Sequence, residues 1–187
     1  MAYQDFGNDG NAMREQMIIM GQFQLLHNEL RKDFATLYVI TAQRLQQGIP
    51  APEMIRACLK ELFSLIESDL YYLNFINPYV GYHYKADFFK KFKKTYRQHC
   101  RTHGKLAAFD RFYTDHYGTF RSLKKKRDEL MHPKGAESIK AEPELFEVIY
   151  EFFKQYVDFV GSTMQGVGVQ WRGKTVYEFF DFMGENS

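Results

Sequence analysis

Five stretches of this chain repeat their apolar residues at three- and four-residue intervals, and Gly or Pro separates each stretch from the next. That spacing puts the apolar side chains of a helix on one stripe, so each stretch can bury one face only against another helix. The first stretch runs over residues 12–47, with Asn11 as a candidate N-cap and Gly48 and Pro50 as its stop. The second runs from Pro52 to Ile76 on the stripe Ile55, Leu59, Leu62, Ile66, Asp69, Leu73 and Ile76. The third, about 85–102, is rich in Lys and ends before Gly104. The fourth, about 105–131, places Phe109, Tyr113, Tyr117 and Phe120 together and is closed by Pro133 and Gly135. The fifth, Pro143–Met164, carries Leu145, Ile149, Phe152, Tyr156, Phe159 and Thr163 inward.

The pattern predicts an all-α, up-and-down helical bundle of about five helices. Residues 1–11 are expected as a flexible N-terminus, 12–165 as the bundle and 166–187 as a short irregular or β-containing tail. In that tail Val167–Arg172 fits a short strand, and Thr175–Met183 fits either a strand or a short helix. With 18 Phe and 13 Tyr among 187 residues, aromatic rings must supply much of the core.

The first ten residues are polar, and no apolar run is long enough to cross a bilayer. Neither a leader nor a membrane segment is therefore expected. Two cysteines, Cys58 and Cys100, fit a reducing cytoplasmic compartment and exclude a disulfide framework. The chain lacks a phosphate-binding loop, a dinucleotide glycine fingerprint, C-x-x-C, H-E-x-x-H and G-x-S-x-G. No cofactor is implied. His99 and His103, four apart on a helix, are spaced to chelate a metal, but no third ligand accompanies them and no metal site is expected.

The net charge of +2 conceals a strong asymmetry. Residues 85–134 hold 15 Lys and Arg against 5 Asp and Glu, while the rest of the chain is acidic. A basic middle between acidic ends fits a polyanion partner, and it also fits solvated lysine faces that merely keep the protein dispersed. Candidate phosphate-binding residues are Lys93, Lys94, Arg97, Arg101, Lys124, Lys125, Lys126 and Lys134. Phe88, Phe89 and Phe92, interleaved with these lysines, are expected in the core.

Three Arg residues are followed by His at a spacing of five or six: Arg97 with His103, Arg111 with His116, and Arg127 with His132. Only the last combines a polar residue directly after the Arg (Asp128) with a Pro directly after the His (Pro133) and a place at the end of a basic helix. The segment Leu123-Lys124-Lys125-Lys126-Arg127-Asp128-Glu129-Leu130-Met131-His132-Pro133 resembles the R-x4–6-H signature of HEPN domains, over a likeness that covers about residues 12–164.

The resemblance implies a metal-independent endoribonuclease, of the kind that serves as a toxin or defence effector. Arg127 would neutralise the scissile phosphate and His132 would move the proton, leaving a 2′,3′-cyclic phosphate and a 5′-hydroxyl. It also implies a homodimer with one composite site, RNA as substrate and room for a regulatory protein partner. Lys134 stands where some members carry a modifiable Tyr two residues after the His. On an unbroken helix Arg127 and His132 would point about 140° apart, so the helix must end between them; Pro133 disfavours helix at His132.

Two further readings stand beside this one: a non-catalytic HEPN-like module that binds nucleic acid or protein, and a helical interaction subunit. Asp69 breaks the apolar stripe of its helix. Either it pairs with Arg127 or His132 and orients the site, or the helix rotates it to the bundle edge.

Overall fold

The computed structural model describes residues 2–5, 9–79, 83, 85–165, 167–171 and 174–175, and it is an all-α helical bundle. Helix α1 spans Gly10–Gln46, α2 Pro52–Ile76, α3 Phe88–Thr102, α4 Leu106–Met131 and α5 Pro143–Met164, with a 3-10 turn at Ala136–Ile139. Three short strands accompany them: β1 at Ala2–Asp5, β2 at Val167–Trp171 and β3 at Lys174–Thr175.

The boundaries follow from local chemistry. Asp9, rather than Asn11, caps α1, since its Oδ1 accepts from the Ala12 amide at 2.9 Å. Helix α1 runs unbroken through Gly21 and stops before Gly48, whose φ of 71° is the left-handed conformation that glycine adopts without strain. Helix α3 begins three residues later than its lysine-rich stretch, at a cap formed by Asp87 Oδ1 on the Lys90 amide at 3.0 Å. Gly104, with φ 67°, turns the chain from α3 into α4.

Two compact units divide the chain, and the longer helices contribute residues to both. The first comprises residues 1–24, 70–109 and 160–187. Its core holds Met13 and Phe23 of α1, Leu70, Leu73 and Ile76 of α2, and Phe92, Tyr96 and Cys100 of α3. Gln16 Nε2 donates to the Ile76 carbonyl at 2.9 Å and so satisfies an orphan acceptor at the end of α2. Residues 1–11, expected as a flexible extension, contribute β1 and the first residues of α1. Strand β1 pairs in parallel with β2, Ala2 opposite Val167 through Asp5 opposite Gln170. Strand β3 pairs antiparallel to β2. Most of the expected segment Thr175–Met183 lies outside the described residues.

The second unit comprises residues 25–69 and 110–159. Rings dominate its core. Phe34 of α1 stacks on Phe153 of α5 with centroids 3.9 Å apart, and Tyr38 stacks on Tyr150 at 3.9 Å. Phe120 of α4 lies between Phe63 of α2 at 6.0 Å and Phe152 of α5 at 5.0 Å. The α2 stripe is buried at Ile55, Leu59, Leu62, Ile66 and Asp69. Both cysteines are fully buried thiols, Cys58 in this unit and Cys100 in the other. Burial pushes the Cys58 thiol up, against the opposing effect of the Thr41 hydroxyl 3.7 Å from its Sγ.

Candidate functional site

Helix α4 ends at Met131, one residue before the sequence motif does. Pro133 forbids a comfortable α conformation at His132, and the His132 amide closes the last turn onto the Asp128 carbonyl at 3.0 Å. The His132 side chain is exposed beyond the helix end. Arg127 stays within the last turn and turns toward α2. Its Nη2 lies 3.2 Å from Glu67 Oε1, its Nη1 lies 3.4 Å from Asp128 Oδ1, and its guanidinium sits 5.9 Å from the centroid of the Phe63 ring. About a quarter of the Arg127 side chain remains exposed (24%).

Lys124 reaches the same carboxylate, with Nζ 2.6 Å from Asp128 Oδ1. Asp128 thus bridges Lys124 and Arg127 on one helix face, and Glu67 ties that face to α2. Lys125 projects outward, and Glu129 lies 3.9 Å from its Nζ. Lys134 is exposed after the helix, and Lys126 is half-buried. Chemically this is a cationic helix end whose guanidinium already answers two carboxylates. Any anion reaching Arg127 would have to compete with Glu67 and Asp128, and His132 is exposed to solvent.

Asp69 takes neither of its expected positions. It is fully buried rather than at the edge, and it bonds neither Arg127 nor His132. His27 Nδ1 of α1 lies 3.0 and 2.9 Å from the two Asp69 carboxylate oxygens, and Tyr156 Oη of α5 donates to Oδ2 at 2.6 Å. Burial raises the Asp69 pKa, and the bonds from His27 and Tyr156 work in the opposite direction. An ionised Asp69 accepts only, which requires the His27 ring proton on Nδ1. Three helices of the second unit therefore meet on one hydrogen-bonded acid. Sequence reasoning missed His27 as a partner, although it falls on the apolar spacing of α1 between the buried Phe23 and Phe34, just as Asp69 interrupts that of α2.

The basic residues of α3 belong to the first unit and are set out by helix geometry alone. Lys90, Lys93, Lys94, Arg97 and Arg101 are all exposed, at spacings that confine them to one face. The opposite face buries Phe92, Thr95, Tyr96, His99 and Cys100. Phe92 takes its expected place in the core. Phe88 and Phe89 do not, because they sit in the first turn, half-buried and packed edge-on against each other at 5.4 Å. Lys94 Nζ lies 5.7 Å from the Tyr79 ring centroid, a cation–π approach that leaves the ammonium at the surface.

The other two Arg–His pairs are not assembled as sites. His103 is buried while Arg97 points to solvent, and Arg111 and His116 lie in mid-helix, His116 beside Phe112. His99 and His103 both turn toward Asn77: its Nδ2 donates to His99 Nδ1 at 2.8 Å and lies 3.4 Å from His103 Nε2. Burial, reinforced by neighbouring His103 and opposed by the Thr163 backbone, lowers the His99 pKa to about 3. Among the described residues no three His, Cys, Asp or Glu side chains are grouped to hold a metal ion, and no helix is long and apolar enough to cross a membrane.

No family model, curated protein or solved structure matches the chain.

Proposed function

We propose that this protein is a HEPN-like, metal-independent endoribonuclease whose working pair is Arg127 and His132. One observation carries the reading: α4 stops at Met131, so Arg127 stays on the last helical turn while His132 leaves the helical path and stands open to solvent. RNA scission without a metal needs a base for the 2′-hydroxyl, an acid for the departing 5′-oxygen and positive charge on the phosphate. His132 would take the 2′-hydroxyl proton as the 2′-oxygen attacks phosphorus. The P–O5′ bond then breaks as the second histidine of the pair gives its proton to the departing 5′-oxygen, which leaves a 2′,3′-cyclic phosphate and a 5′-hydroxyl. Arg127 would hold the phosphate through its planar fork, with Asp128 fixing the guanidinium. A second copy would supply the second histidine, in a homodimer.

The exposed cationic face of α3 supports RNA as the ligand, since lysine and arginine contacts to phosphate give affinity without reading sequence. A protein of this kind would serve as a toxin or defence effector, held in check by a regulatory protein partner.

The engagement of Arg127 with Glu67 and Asp128 favours a second reading, a HEPN-like module that binds nucleic acid without cutting it. The two are separated by incubating the full-length protein with mixed-sequence RNA in excess EDTA. EDTA-resistant cleavage that vanishes in folded His132→Ala supports the enzyme. Salt-sensitive binding with intact RNA supports the module and overturns the enzyme.

A further inference from the structure

Helix α2 meets Arg127 through two residues. Glu67 Oε1 lies 3.2 Å from Arg127 Nη2, and the Phe63 ring centroid lies 5.9 Å from the guanidinium. One turn before Phe63 stands Lys60, and one turn before that Arg56. At 100° per residue Arg56, Lys60 and Glu67 fall within about 40° of one another around the helix. Arg56 Nη1 donates to the Ile139 carbonyl at 3.0 Å. One face of α2 is thus fastened at Glu67 to Arg127 and at Arg56 to the segment that follows His132. Lys60 stands between the two fastenings. All of these residues belong to the second unit.

The charges at the end of α4 cancel, because Glu67 and Asp128 answer Arg127 and Lys124. Lys60 has no such answer. It is exposed and forms no ion pair among the described residues. The residues three and four positions away along α2 are Arg56, Ala57, Phe63 and Ser64, so its own helix offers it no carboxylate. Arg56 bonds a neutral carbonyl and keeps its charge beside Lys60. Like charges four apart on a helix repel, and an anion placed against them relieves that repulsion.

We propose that Lys60 holds the backbone phosphate adjacent to the one at Arg127. The substrate is then an RNA strand with a second phosphate beside the scissile one, not a dinucleotide. This rests on the reading of Arg127 as the residue at the scissile phosphate. Glu67, where Arg127 is anchored, lies seven residues or about 10 Å further along α2 than Lys60, a span for two phosphates rather than one. Lysine suits the outer place. Its ammonium is a point charge on a flexible stem, which neutralises a phosphate without fixing its orientation as the planar fork of arginine does.

The test uses the full chain and an oligodeoxynucleotide with one ribonucleotide, so that the scissile linkage is known. Two further substrates carry a neutral methylphosphonate at the linkage immediately 5′ or immediately 3′ of it. Lys60→Ala should lower kcat/KM about tenfold on the fully charged substrate. It should cost nothing further on one of the two neutral-linkage substrates, which the wild type itself should cut about tenfold less well. Lys60→Arg should keep most of the activity, and circular dichroism checks that each variant keeps its helices. An equal loss on all three substrates, no loss on any, or a Lys60→Arg variant as poor as Lys60→Ala would each overturn the proposal. If the wild type cuts none of the substrates, the endoribonuclease reading fails by itself and binding judges Lys60. Lys60→Ala should then reduce the slope of log affinity for single-stranded RNA against log salt by about 0.7, and an unchanged slope overturns the assignment.

Discussion

Tyr156 of α5 donates its phenolic proton to Asp69 of α2 at 2.6 Å, deep in the second unit, and His27 of α1 holds the same carboxylate from the other side. Such a network is costly to half-dismantle, because removing one member leaves the others buried and unsatisfied. Asp69→Ala should therefore lose about 3 kcal/mol of stability, and Tyr156→Phe about 1–2 kcal/mol. Urea unfolding of both single variants and of the double variant measures this. A coupling energy near zero between the two positions would show that the bond contributes nothing.

His99 gives the first unit a definite pH response. Its folded pKa of about 3 lies below the ordinary value of 6.5, so the folded state prefers the neutral ring. The unfolded chain binds a proton below pH 6.5 and the folded one does not, so this contribution is present in full above pH 6.5 and is lost as pH falls toward 3. Between pH 7 and pH 5 the loss should be about 2 kcal/mol. Denaturant titrations at the two pH values give the slope, and His99→Gln should flatten it.

The guanidinium fork at position 127 differs from a point charge in what it can grip. If Arg127 holds the scissile phosphate, Arg127→Lys should lower the cleavage rate at least about tenfold while folding is unchanged. Single-turnover cleavage rates check this, and an unaltered rate would remove Arg127 from the site.

Glu67 would compete with a phosphate for Arg127, since the two side chains lie 3.2 Å apart. Glu67→Gln should tighten RNA binding about threefold to tenfold, in line with the weak worth of exposed ion pairs. Fluorescence anisotropy provides the measurement, with Glu147→Gln, an exposed change on α5, as the unaffected control.

Along α3, Lys94→Ala and Arg97→Ala should each weaken RNA binding at low salt. Each should also reduce the slope of log affinity against log salt by about 0.7 if a single strand lies on that face. Unchanged slopes would place the RNA elsewhere.

Local physics made most of the fold readable. Pro52, Gly104, Pro133 and Pro143 punctuate the helices where the chain breaks, and the α2 stripe from Ile55 to Ile76 is buried throughout. Periodicity also exposed Asp69 as an anomaly, yet it carries no information on partners. His27 lies 42 residues away and Tyr156 87 residues away, and only tertiary packing brings them to the acid. The candidate site was legible to a similar degree. The helix end at His132 follows from Pro133, whereas the hold of Glu67 on Arg127 depends on how α2 lies beside α4. Phe88 and Phe89 departed from expectation because a first helical turn has no preceding turn to cover it.

Each unit contains a single thiol, Cys58 in one and Cys100 in the other, and both are sealed from solvent. A maleimide can reach either sulfur only when its surroundings open. Labelling of the native protein followed by peptide mass mapping would therefore clock the breathing of the two halves separately, each cysteine acting as a built-in reporter for its own.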